Sequence, residues 1–395
     1  MGRCRVRVRT GLERLLDKEI ERFEGMPLGI VSNATSVDTQ FRHSIELLHR
    51  DPRASLVAIF GPQHGLFGET QDNMVEWEGY RDPVTGLPIY SLYGETRVPT
   101  PEMLDDVSVV LFDIQDVGAR YYTFIYTMAH VMMACQREGK KIIILDRPNP
   151  IGGITIEGNI LHRRYASFVG MFPICVRHGM TVGELALLFN HDFGIEADLE
   201  VLAMEGWQRS MFYDQTGIPW IIPSPNMPTL DTAIVYPGMC LLEGTNLSEG
   251  RGTTRPFEIF GAPFIEPNRL CDHLSQLKLP GVRFRAVRFR PTFQKFKGVI
   301  CGGCQIHVVD RTVFKPFLTG VAIIRAIRTM YPDQFRWRLP PYEYEYEKLP
   351  IDILAGCSRL RRMIDEGVEL SEIEAYWKPD EESFADQRKP YLIYQ

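Results

Sequence analysis

The sequence predicts an α/β fold: an open, mostly parallel sheet in the first part of the chain, then a smaller α+β part. Three observations carry this expectation. Four short apolar runs, "PLGIVSN" (27–33), "ASLVAIFGP" (54–62), "VSVVLFDIQ" (107–115) and "KKIIILDRP" (140–148), alternate with helix-like segments. Each run is continuous in Val, Ile and Leu, as strands covered on both faces are. After Pro150 the texture changes to mixed helices and alternating strands. The boundary is therefore expected at residue 160, with 1–160 forming the sheet and 161–395 an α+β part.

The elements follow in order. "DTQFRHSIELLHR" (38–50) reads as a helix between the first two strands. From Gly61 to Asp106 runs one long connection, rich in Trp, Tyr and His, with a short hairpin expected around "PVTGLPIYSLYG". Long loops in compact domains are usually functional or disordered, and this composition favours function. "RYYTFIYTMAHVMMACQREG" (120–139) sets Phe124, Met128, Val131, Met132 and Cys135 on one helical face, and Gly139 suits its C-terminal cap. This strand–helix rhythm argues for right-handed parallel crossovers. "MTVGELALLFN" (180–190) starts with Thr181 and Glu184 at capping-box spacing. Residues 221–264, dense in Pro, Gly, Ser, Thr and Asn, read as ordered loop. "VRFRAVRFRPTF" and "CGGCQIHVVDR" alternate like strands, and 316–332 and 358–377 read as helices.

Bulk properties narrow the function. The 395 residues fit two domains, and 45% apolar with 24% charged is ordinary globular composition. A net charge of −6 gives no reason to expect nucleic acid or an anionic membrane as partner. The basic N-terminus has no apolar stretch of signal length, and no run reaches the ~18 apolar residues of a membrane span, so a cytoplasmic location is expected. The only close cysteine pair, Cys301 and Cys304, opens a strand-like run and reads as structural. The nine His show no metal-ligand spacing. There is no G-x-G-x-x-G after the first strand, no P-loop, no H-E-x-x-H and no G-x-S-x-G. Neither a metal nor a nucleotide cofactor is expected.

In open α/β sheets ligands bind at the carboxyl ends of the strands. Those ends are polar here: Ser32 and Asn33, Gln63 and His64, Asp113 to Asp116, and Asp146, Arg147 and Asn149. Carboxylates crowd the expected crevice at Glu69, Glu76, Glu78, Asp116, Asp146 and Glu157. A pair of carboxyls whose pKa values are pushed apart can protonate a leaving oxygen and support an oxocarbenium-like centre. His64, directly after a strand, is a ligand, an acid/base or a hydrogen-bond donor. Trp77, Tyr80, Tyr90, Tyr93, Tyr121 and Tyr122 suit stacking on a sugar face.

Several long stretches then match a known family. "GPQHGLFGE", "TGLPIYSLYGETRVPTPEML", "FDIQDVGARYYTFIYTM", "LDRPNPIGG", "SPNMPTLDTAIVYPG" and "EGTNLSEGRGTTRPFEIFGAPF" run in order, and the tail from "IDILAGCSRLRRMIDEG" to "YLIY" also fits. In these the chain resembles the exo-β-N-acetylmuramidase family of glycoside hydrolases. The resemblance implies a Rossmann-like N-terminal domain, a smaller C-terminal domain and a cleft between them. It implies release of N-acetylmuramic acid from the non-reducing end of peptidoglycan fragments, without metal or nucleotide, by two glutamates. The second maps onto Glu157. The first lies in the loop after the second strand, where the insertion-like "ETQDNMVEWEG" leaves both Glu69 and Glu76 as candidates. Many relatives read P-E-H-G where this chain has Gln63, which implies weaker activity or another substrate. The lactyl carboxylate calls for an arginine fork, for which Arg120, Arg147, Arg251 and Arg255 are available. Asn226 and the 245–255 loop, with Asn246, Ser248, Thr253 and Thr254, offer partners for hydroxyls and the acetamido group. Two alternatives stay open: a family glycosidase acting on another N-acetylhexosaminide, and a non-catalytic binder of peptidoglycan sugars. A homo-oligomer is compatible with the sequence, and family members can be exported.

Overall fold

The computed structural model describes residues 7–71 and 75–395. Residues 1–6, which hold Cys4, and 72–74, inside the insertion-like stretch, lie outside the described residues. The first sheet has seven strands: β1 Pro27–Ser32, β2 Ser55–Gly61, β3 Tyr80–Arg81, β4 Pro88–Ser91, β5 Val109–Asp113, β6 Lys141–Leu145 and β7 Asp198–Leu202. Their order is β3-β4-β2-β1-β5-β6-β7, and all pairs are parallel except β3 with β4. The chain builds outward from β1 to β4, returns beside β1 as β5, and then builds the other way. The switch point therefore lies between β1 and β5.

The alternation of side chains explains the unbroken apolar runs. Leu28 and Ile30, Val109 and Leu111, and Ile143 and Leu145 face one core, with Leu12, Leu15, Ile20 and Phe23 from the N-terminal helical turns. Val31, Val110, Phe112, Ile142 and Ile144 face the other, with the helices Phe124–Arg137 and Val182–Asp192 and the whole C-terminal part. Both faces are dry, so neither can carry polar residues.

The four predicted strands form, and the predicted hairpin is β3 with β4. β7 was not read from the sequence: it is a half-exposed edge, "DLEVL", without an apolar run, and it carries the first sheet beyond residue 160. The Thr181–Glu184 capping box is present, and Gly139 follows its helix at φ +62°. The 38–50 helix shortens to Ser44–Arg50, because Asp38 binds the Gln40 and Arg42 amides and holds a loop before it. The 358–377 segment is two helices, Arg359–Asp365 and Leu370–Arg388, split at Gly367.

The 221–264 segment is not all loop. It contains the helix Leu230–Met239, a 3₁₀ turn at Cys240–Gly244 and the strand β8, Ile259–Ala262. Its apolar content outweighed Pro237, which sits inside the helix. That helix crosses Pro316–Met330 so closely that a Cβ on Gly238 would lie 1.8 Å from the Pro316 carbonyl oxygen. β8 joins β9 Val282–Phe289 and β10 Cys301–Val308 in an antiparallel sheet ordered β8-β10-β9. Cys301 and Cys304 are buried, unbridged residues of β10. Among the described residues no helix is long and apolar enough to cross a membrane.

Candidate active site

The strand-end polar residues mostly fasten the fold. Asp113 accepts from Arg147 Nε at 2.6 Å, and Arg147 also donates to the Val37 carbonyl at 3.2 Å. Asn33 folds back on Thr35, whose amide and hydroxyl it accepts at 2.9 and 2.6 Å. Asp116 accepts from the Gly118 amide at 2.7 Å and stands 3.2 Å from His178 Nε2. Arg120 is fully buried and donates to the carbonyls of Asn159, Ile174 and Leu354 at 2.7–3.0 Å. Asn149 spans the Met180 carbonyl and the Ile151 amide. Asp146 binds Thr181 and the Gly183 amide at the start of the helix Val182–Asp192. A buried charge is tolerable when so paired. The expected crevice at the switch point is filled by its own polar groups.

The open hollow lies beside it. Of the sequence candidates it brings together Gln63, His64, Tyr121, Tyr122, Asn226 and Arg251. Gln63 is fixed between Thr123, whose hydroxyl donates to its oxygen at 2.9 Å, and Tyr93, whose hydroxyl accepts from its amide at 3.1 Å. Asn226 exchanges two hydrogen bonds with Gln71, each 3.2 Å. Tyr122 stands edge-on to Tyr236 at 5.8 Å, and Tyr236 to Phe257 at 4.8 Å, forming an aromatic side to the hollow. Tyr121 donates its hydroxyl to the Pro237 carbonyl, so only its ring is offered.

His64 adopts φ +74° at the end of β2. Its Nδ1 lies 2.8 Å from the Thr70 carbonyl, which can only accept, so Nδ1 carries the proton and Nε2 the lone pair. Burial, reinforced by the charge of Arg251, lowers its pKa to about 4. At neutral pH the ring is an uncharged acceptor.

Two glutamates that sequence reasoning missed line the same hollow. Glu243 accepts from Arg251 Nη1 at 2.6 Å and from the Tyr342 hydroxyl at 2.8 Å. Arg251 also reaches Glu249 at 3.2 Å, and Glu249 meets Lys295 at 3.0 Å. Burial works upward on Glu249, but Lys295 and Arg251 outweigh it and hold it at about 2. Glu343 is different. It is 4% exposed, its Oε2 has no hydrogen-bond partner among the described residues, and burial followed by the like charge of Glu243 pushes it up to about 7. It sits in a two-residue turn closed by paired 2.9 Å bonds between Tyr342 and Glu345. Glu343 and Tyr344 there have φ +45° and +66°. Such a turn ordinarily takes Asn-Gly. A Glu-Tyr pair forced into it was the one available signal, and it appears only in the backbone angles.

The remaining candidates lie elsewhere. Glu157 is not on the hollow: its Oε1 accepts from the Leu318 amide at 2.8 Å, at the start of Pro316–Met330. Burial pushes it up to about 7. Glu69 is exposed and accepts from the Phe67 amide at 3.1 Å. Glu76 is exposed and receives the Tyr344 hydroxyl at 3.2 Å. Asn246 bridges Gln334 and Arg336, Thr253 closes a turn onto Gly250, and Arg255 is exposed and paired with Glu258. None of Glu157, Glu69 and Glu76 is among the residues that line the hollow. Among the described residues no three His, Cys, Asp or Glu side chains cluster as a metal site would require.

A buried carboxyl poised near neutrality, a second one beside an arginine, and rings that can stack on a sugar put the protein in the class of glycoside hydrolases. The chain belongs to the exo-beta-N-acetylmuramidase NamZ family, whose N-terminal model matches residues 28–231 and whose C-terminal model matches 234–394. It is 46% identical to the peptidoglycan beta-N-acetylmuramidase NamZ of Bacillus subtilis over 388 residues, which cover 98% of this chain and 92% of that one. Crystal structures of two DUF1343 family proteins of Bacteroides fragilis share the fold. One superposes with a TM-score of 0.89 at 36% identity, over 99% of this chain and 100% of its own. The other has a TM-score of 0.76 at 30% identity, over 98% and 99%.

Proposed function

We propose that this protein releases N-acetylmuramic acid from the non-reducing end of peptidoglycan fragments, with Glu343 as the general acid. The observation that carries the assignment is a single hollow holding a protonatable carboxyl, Glu343, next to Glu243 and Arg251. Glu343 hands its proton to the glycosidic oxygen as the bond from that oxygen to the anomeric carbon breaks. Positive charge then grows on the sugar ring, and the Glu243 carboxylate lies nearby to offset it. Water, oriented by a hydrogen bond to His64 Nε2, adds to the anomeric carbon; the proton it loses passes to solvent, from which Glu343 regains its own. Tyr122, Tyr236 and Phe257 supply the apolar face for the sugar. The reading keeps a two-part organisation: residues 63–64 and 121–124 come from the first part and 224–257 and 342–343 from the second, so the site needs both.

The test is turnover of the 4-nitrophenyl β-glycoside of N-acetylmuramic acid. Glu343→Gln should lose at least ~10²-fold in kcat with its melting temperature kept. Full activity in that variant would remove the assignment. Gln63 favours a second reading, the same chemistry on another N-acetylhexosaminide. A panel of aryl glycosides decides between them by which sugar has the highest kcat/KM.

A further inference from the structure

Muramic acid differs from glucosamine by a lactyl ether that carries a carboxylate, so selecting it requires a cation with donors to spare. The arginines named from the sequence are committed elsewhere: Arg120 and Arg147 are sealed among carbonyls and Asp113, Arg251 serves Glu243 and Glu249, and Arg255 pairs with Glu258. Arg97 is not. Its guanidinium lies against three rings, at 4.0 Å from Tyr344, 5.0 Å from Tyr93 and 5.1 Å from Phe168. These rings hold its plane while leaving its edge to polar partners. Nε and Nη2 are buried without a hydrogen-bond partner among the described residues, an arrangement that buried donors rarely keep unless something else satisfies them. The carboxylate that pairs with it among the described residues, Glu76, is 3.6 Å from Nη2, beyond hydrogen-bond range, and its side chain is 50% exposed.

Arg97 does not itself line the hollow, but two of the rings it packs against connect to residues that do. Tyr93 accepts a hydrogen bond from Gln63, and Tyr344 directly follows Glu343. The positive charge of Arg97 is felt at the Glu343 carboxyl.

We propose that Arg97 receives the lactyl carboxylate of the sugar held in the hollow, and that Glu76 marks where that carboxylate docks and swings out when it arrives. This rests on the muramidase reading. It makes Arg97 a specificity residue and Glu76 a competitor, not a catalytic acid. Tyr344, which donates to Glu76 at 3.2 Å, is free to pass that hydrogen bond to the incoming carboxylate.

The experiment compares 4-nitrophenyl β-glycosides of N-acetylmuramic acid and N-acetylglucosamine on wild type, Arg97→Ala, Arg97→Lys and Glu76→Gln. Arg97→Ala should lower the muramic-over-glucosamine ratio of kcat/KM by about 10²-fold, mostly through KM, because a bidentate charged contact disappears. Arg97→Lys should fall between, keeping charge but not the fork. Glu76→Gln should lower KM for the muramic substrate. An unchanged ratio in Arg97→Ala overturns the proposal, and a 10²-fold loss of kcat in Glu76→Gln overturns the competitor role. If wild type turns over neither substrate, the muramidase reading fails while Arg97 remains testable by thermal shift. A larger shift with N-acetylmuramic acid than with N-acetylglucosamine, lost in Arg97→Ala, supports it. Equal shifts, or none, overturn it.

Discussion

Glu343 combines two costs that a protein seldom carries without return. Its backbone is left-handed, which a side chain with a Cβ disfavours by about 1–2 kcal/mol. Its carboxyl is buried and its pKa is raised to about 7, first by burial and then by Glu243. A general acid works only while protonated, so activity should fall as pH rises through about 7, the alkaline limb of a pH–rate profile. Glu243→Gln removes the like charge, makes ionisation of Glu343 easier, and should move that limb to lower pH. A limb that stays in place would detach the two residues. None of this was legible in "PPYEYEYEK", where Glu343 is one of three glutamates alternating with tyrosines. His64 and Gln63 were legible because they follow directly on a strand whose apolar run is unmistakable.

The elements around the site show why other sequence candidates lie off the hollow. A polar residue at a strand end looks the same in sequence whether it faces a ligand or a neighbouring backbone. Arg120 was spent on three carbonyls and Glu157 on an amide of the helix Pro316–Met330, a partner 161 residues away in the chain. Only the packing of the C-terminal part reveals those partners. Glu157 makes a measurable claim about that packing. Its ordinary value near 4.5 is raised to about 7 in the fold, so the folded state holds a proton that the unfolded chain releases between those values. Folding is therefore disfavoured progressively as pH rises from about 4.5 to 7, by up to about 1.4 kcal/mol per unit. Glu157→Gln escapes this. Its stability relative to wild type should rise between pH 5 and 8 in denaturant titrations, with a far smaller loss of kcat than Glu343→Gln. A stability difference that is flat with pH would show that Glu157 does not ionise as its burial requires.

Across the whole molecule, the sheet was readable because its two dry faces leave unbroken apolar runs, whereas the hollow was not, because segments far apart in the chain build it. Residues 63–64, 121–124, 224–257 and 342–343 meet only after both parts fold. The same long-range closure repeats at the far side of the sheet, where both ends of the described chain reach β6. The Gly11 amide donates to the Asp146 carbonyl at 2.9 Å, and the Tyr394 hydroxyl donates to the Asp146 carboxyl at 2.5 Å. The Ile393 amide bonds Glu184 at 2.9 Å, which also holds Arg209 at 2.6 Å.

Asp146 thus couples the C-terminal strap to the first sheet, and the coupling depends on charge. Burial raises Asp146 to about 7, and the Tyr394 hydroxyl pulls in the opposite direction by favouring the ionised form. Removing that hydroxyl costs most when Asp146 is charged and least when it is protonated. Tyr394→Phe should therefore destabilise the protein by about 1.5–3 kcal/mol at pH 8, the range for a hydrogen bond to a charged group, and by less at pH 5. Because Asp146 lies outside the hollow, kcat and KM should not change. Urea titrations of wild type and variant at the two pH values measure the difference. An equal loss at both would mean that Asp146 does not change charge between them, and that what the variant loses is the bond the Met204 amide donates to the Tyr394 hydroxyl at 2.8 Å, the ring contact with Trp207 at 5.0 Å being kept.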